Sequence, residues 1–100
     1  MQKDKPIYFY VANLGSEVHR LLNWKEKGDK TAMKNAYQRS LEIIQTIKSF
    51  NNASANAEMD ILRDCLKDYV SENSEQLIDR NQISSYFNPF ALRITNNLFQ

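Results

Sequence analysis

KPIYFYVANLGSEVHRLLNWKEKGD, running from Lys5 to Asp29, decides the fold. Ile7, Val11, Leu14, Val18 and Leu21 recur at alternating spacings of four and three. A helix turns 100° per residue, so this spacing lays them on one stripe, which Tyr10 and Leu22 widen. The stretch therefore predicts an amphipathic helix over about Lys5 to Lys27. Pro6 suits its first turn, where no amide donor is needed. Lys25 and Lys27 place cations near the last carbonyls, and Gly28 can then turn left-handed to end the helix.

The pattern repeats downstream. Asp29 is a natural cap for a second helix over about Lys30 to Phe50. Met33, Ala36, Tyr37, Ser40, Ile44 and Ile47 share its inner face, flanked by Leu41 and Ile43. Residues Asn51, Asn52, Ala53 and Ser54 read as a short loop with capping side chains. A third helix follows over about Ala55 to Ser71, with Met59, Leu62, Cys65, Leu66, Tyr69 and Val70 as its stripe. Near the C-terminus, Ile83, Phe87, Ala91, Ile94 and Leu98 form another stripe, interrupted by Pro89. A proline inside a helix loses one hydrogen bond and clashes with the preceding turn. This last helix is therefore predicted to kink or restart near Pro89.

Composition agrees with helices. The 100 residues contain two glycines and two prolines, too few for the turns of an all-β chain. The expected fold is all-α: one antiparallel up-down bundle of about four helices spanning residues 1–100 as a single domain, since short connections favour antiparallel neighbours. A net charge of +1 supplies no general field toward nucleic acid or an anionic membrane. The single Cys65 excludes an intramolecular disulfide and fits a reducing compartment. With no apolar run long enough to cross a bilayer, and an N-terminus too polar for a signal peptide, a cytoplasmic location is expected.

Two groups of residues, Ala12-Asn13-Leu14-Gly15-Ser16-Glu17-Val18 with Arg20 and Lys25-Glu26-Lys27-Gly28-Asp29, carry a resemblance in the first half of the chain. Leu62-Arg63-Asp64-Cys65-Leu66-Lys67-Asp68-Tyr69 and Tyr86-Phe87-Asn88-Pro89-Phe90-Ala91 carry it in the second. In this order they resemble a family of short bacterial hypothetical proteins. The resemblance covers most of the chain and implies one helical unit. It implies no activity, cofactor or site residue.

Chemistry that a small bundle can host meets few of its requirements here. A di-metal carboxylate centre needs Glu-x-x-His pairs, which present two ligands from one helical turn. The chain has one histidine, and Glu17 and His19 are two apart, so they point to different sides. One cysteine and one histidine do not make a zinc site. Cys65 sits on an apolar stripe and reads as a small buried hydrophobe, while His19 reads as a boundary residue. Asp60, Asp64 and Asp68 line up at a spacing of four, which reads as a solvated acidic face. No catalytic residue, metal ligand or cofactor is expected, and the protein is read as non-enzymatic.

Surfaces carry the functional expectations. At 100° per residue, Asn13, Glu17, Arg20 and Trp24 fall within an arc of about 60°, well round from the core stripe, with Phe9 close by. Arginine, tryptophan and phenylalanine together are enriched in interface cores. This seam is the candidate interface for a homo-oligomer, a dimer before others, or for another protein. The competing expectation is that the C-terminal segment, with Tyr86 and Phe90, folds over it. Charge is also uneven. Arg20 to Lys48 holds seven basic and three acidic residues, whereas Ser49 to Asp79 holds two basic and seven acidic. Adjacent helices that complement one another explain this most simply. A candidate basic patch of Lys25, Lys27, Lys30 and Lys34 at the first hairpin makes weak nucleic-acid contact the alternative function, though the patch is smaller than a dedicated binder needs.

Overall fold

Three helices account for residues 5–71, the part of the chain that the computed structural model describes. They are α1 (Ile7–Lys27), α2 (Lys30–Lys48) and α3 (Ala53–Val70), and no strand occurs among the described residues. The expected fourth helix, with its kink or restart near Pro89, lies outside them.

The joint between α1 and α2 takes two residues. Gly28 adopts φ 78°, the left-handed conformation that closes a helix. Its N–H donates to the Lys25 carbonyl at 3.1 Å, and the Asp29 N–H reaches back to the Trp24 carbonyl at 3.0 Å. These two bonds satisfy carbonyls that the helix leaves open, the pattern of a Schellman end. Asp29 then caps α2, its carboxylate accepting from the Ala32 N–H at 2.9 Å. A Cβ built on Gly28 meets nothing within 4 Å, so an L side chain there is penalised by backbone strain alone. Gly28→Ala is accordingly expected to lower stability by about 1 kcal/mol, with Gly28→Asn losing less, since asparagine tolerates this region. Urea denaturation of the three proteins checks the order, and equal stabilities would refute it.

Helix boundaries differ from expectation by one or two residues, among them the end of α2, which falls at Lys48 rather than Phe50. Pro6 stands just outside α1 in an extended conformation rather than within its first turn. Its carbonyl still accepts from the Phe9 N–H at 3.0 Å, so the ring fixes the approach to the helix. The third helix begins at Ala53, two residues before the predicted Ala55, because Asn52 is its cap and accepts from the Ala55 N–H at 2.9 Å. Asn51 takes up the turn with φ 61°, a conformation asparagine adopts more readily than most residues.

The predicted stripes form the core. Ile7, Tyr10, Val11, Leu14, Val18, Leu21 and Leu22 of α1 are buried, as are Met33, Ala36, Ile43, Ile44 and Ile47 of α2. Ala55, Met59, Leu62, Leu66 and Tyr69 complete it from α3. Ser40 is fully buried, and its hydroxyl donates to the Ala36 carbonyl at 2.8 Å, so the polar atom is satisfied within its own helix. Tyr37, Leu41, Cys65 and Val70 are half-buried at the stripe edges. α2 is the central element, packed on α1 and on α3. Charge complementarity joins α2 to α3, where Lys48 pairs with Asp60 and Arg63 lies 3.4 Å from the same carboxylate. The Lys48 hydrogen bond is the main reason the Asp60 carboxyl is held below its usual range. No helix among the described residues is long and apolar enough to cross a membrane.

A groove between the first two helices

A groove of about 670 Å³ runs along α1 where α2 crosses it. From α1 it is lined by Phe9, Tyr10, Asn13, Ser16, Glu17 and Arg20, with Lys5 at its end, and from α2 by Arg39, Glu42 and Ile43. Four of the five residues of the predicted seam, all but Trp24, thus meet in one concave surface, which α2 completes with Arg39, Glu42 and Ile43.

Glu17 organises it. Sequence placed this residue on a polar seam, yet it is buried, with its side chain 12% exposed. One carboxylate oxygen accepts from Arg20 Nη1 at 2.7 Å and the other from Arg39 Nε at 2.9 Å. Burying a carboxylate costs free energy unless charge-assisted hydrogen bonds compensate it, and here both oxygens are compensated. The arginines remain half exposed, at 56% and 48% of their side-chain surface. Each guanidinium has five N–H donors. Glu17 therefore fixes the position of two cations while leaving most of their donors directed elsewhere.

The N-terminal end of the groove is aromatic. Phe9 is 41% exposed and meets the buried Tyr10 ring edge-on at 5.4 Å, and Tyr10 in turn lies 5.9 Å from Phe50. The Lys5 ammonium sits 5.9 Å from the centre of the Phe9 ring. The lining thus sets an exposed aromatic ring, with Lys5 beside it, at one end and the two arginines at the other, with Glu42 among the α2 residues.

Trp24 shares the angular position of the seam but not the groove. It is half-buried against the core, with the Lys27 ammonium 5.1 Å from its ring centre. Of the other candidate lysines, Lys25 turns to α3, where it donates to the Tyr69 carbonyl and lies 4.0 Å over the Tyr69 ring. Lys30 and Lys34 are exposed. Of the hairpin cations, Lys25 and Lys27 therefore each lie over an aromatic ring of the same chain. His19 is exposed, away from the groove lining. Burial, reinforced by Asp64 and Asp68, raises the Cys65 thiol above its usual range, which disfavours the reactive thiolate. Among the described residues no three His, Cys, Asp or Glu side chains converge as metal ligands would. The contact of Tyr86 and Phe90 with the seam, predicted as the competing arrangement, lies outside the described residues.

Comparisons of the chain with protein-family models, with curated proteins and with solved structures found no match.

Proposed function

We propose that the protein is a non-enzymatic interaction module that self-associates through the α1–α2 groove, on an antiparallel up-down bundle of about four helices. The observation that carries this reading is the pair of half-exposed arginines anchored on the buried Glu17 beside the exposed Phe9. Arginine and aromatic side chains dominate the energetics of protein interfaces. Cations already held in place lose less conformational freedom when a partner arrives. Supporting the bundle topology, Glu17 and Arg39 meet although each lies eleven residues from Gly28, as positions on two helices folded back at that turn would. The groove also has no histidine or cysteine among its described lining, and its buried carboxylate is already engaged by two cations. The division of Lys25 and Lys27 into internal contacts favours this reading over nucleic-acid binding at the hairpin.

Light scattering with mass determination on the full chain tests it. At micromolar concentration the wild type is expected to exceed the 11.7 kDa of one chain. Arg20→Asp is expected to weaken association at least tenfold, the effect of losing about 1.4 kcal/mol at an interface hot spot. A wild type that stays at the mass of one chain as concentration rises would sink the proposal.

A further inference from the structure

The outer face of α3 carries the counterpart of this groove. Met59, Leu62 and Leu66 turn into the core. On the opposite side, Ala57, Ile61, Asp64 and Asp68 fall within an arc of about 60° at 100° per residue. Ile61 is 50% exposed, whereas the other large aliphatic side chains among the described residues are buried or half-buried. The Asp64 carboxylate is 74% exposed, and among the described residues its ion-pair contact is a long one, 3.7 Å from Arg63. This face therefore presents an exposed apolar residue, then the exposed carboxylate of Asp64 and, one turn on, the half-buried Asp68.

The groove presents the complementary order with a similar spacing. A rise of 1.5 Å per residue puts Asn13 about 6 Å from Phe9, and Glu17, where both guanidiniums are anchored, about 12 Å away. On α3 the same rise puts Asp64 about 4.5 Å from Ile61, and Asp68 about 10.5 Å away. We infer that the occupant of the groove is the outer face of α3 from a second copy of this chain. Ile61 lies on Phe9, Asp64 faces the Asn13 amide, and Asp68 enters between Arg20 and Arg39. The inference rests on self-association through the groove and names the surface that enters it. Each arginine gives Glu17 one donor in the bonds described, so N–H groups remain for a second carboxylate. Groove packed on groove with Arg20 and Arg39 at the two-fold axis would oppose arginines to arginines, and centred elsewhere it would set them against Phe9, so neither arrangement supplies the carboxylate that the α3 face carries. Every copy carries both surfaces, so the contact is heterologous. It closes as a reciprocal pair or ring, or extends, according to its symmetry.

A complementation experiment with full-length chains tests this. Arg20→Asp disables the groove and leaves the α3 face intact. Asp64→Lys with Asp68→Lys does the reverse. Circular dichroism first checks that each variant retains wild-type helicity, and an Asp64→Asn, Asp68→Asn chain replaces the lysine pair if that pair unfolds. By light scattering, each variant alone is expected at the mass of one chain, and an equimolar mixture at the mass of two. Wild-type association is also expected to weaken as salt is raised. If the α3 variant self-associates as the wild type does, the inference falls while the groove reading stands. A mixture that stays at one chain's mass likewise overturns the inference. If the wild type never associates, the groove reading itself falls.

Discussion

Leu21→Ala is expected to remove about 3 kcal/mol of folding stability, within the range of about 2–5 for a fully buried leucine. Leu21 is 0% exposed on the α1 stripe. The loss combines the hydrophobic transfer of the deleted atoms with the cavity left behind. Helix propensity does not add to it, because alanine is the better helix former of the two. Against a total of about 5–15 kcal/mol for a native domain, the change is large. It corresponds to roughly a hundredfold fall in the folded-to-unfolded ratio, taking 1.4 kcal/mol per tenfold. The melting temperature should drop by about 12–24 °C, at about 4–8 °C per kcal/mol for a domain of this size. Trp24 is the single tryptophan and packs partly on the core, so its fluorescence follows unfolding directly. Ile61→Ala, on the exposed side of α3, should stay within about 0.5 kcal/mol of wild type. A Leu21→Ala loss below about 1 kcal/mol would contradict this packing.

Periodicity identifies such positions well because a helix in contact with a core has one buried line. The centre of that line was readable on all three helices, as Leu14, Ile44 and Leu62 show. Its edges were not. Tyr37 and Cys65 fit the spacing yet remain half-buried, since their exposure depends on how far the neighbouring helix reaches. The boundary at α3 was missed for a different reason. Asn51 and Asn52 are both competent to cap and to turn left-handed, and only the folded chain assigns one role to each.

The groove was half readable in the same sense. An angular projection reveals that α1 has a second stripe, but it discards position along the axis. Trp24 consequently joined Asn13, Glu17 and Arg20, although it lies a turn beyond Arg20 and packs elsewhere. Arg39 is invisible to any projection of α1 alone. Its signal was available in the hairpin arithmetic: with the turn at Gly28, a glutamate and an arginine eleven residues to either side are opposite one another. That pairing also explains why Glu17 is buried despite its charge.

Glu17→Lys should be the most damaging substitution in the groove, at about 3 kcal/mol. Removing one partner of a buried ion pair costs about 3–5 kcal/mol, and a lysine adds a third cation where a carboxylate held two. The half-exposed arginines can turn toward water, which screens part of this and keeps the figure at the lower end. Glu17→Leu separates the two consequences. Leucine suits the apolar neighbourhood of Tyr10 and Leu14, and replacing a buried ionic group by a well-packed hydrophobe is often close to neutral. Its stability should therefore stay within about 1 kcal/mol of wild type. Association should still fall at least tenfold, or about 1.4 kcal/mol, because freed arginines must be ordered by the partner. Urea denaturation and light scattering on the same samples read the two effects apart. If Glu17→Leu associates as wild type, the carboxylate only satisfies the fold and does not prepare the arginines for a partner. If stability is kept and association lost, the buried charge serves recognition, and its burial follows from the need to hold two cations still.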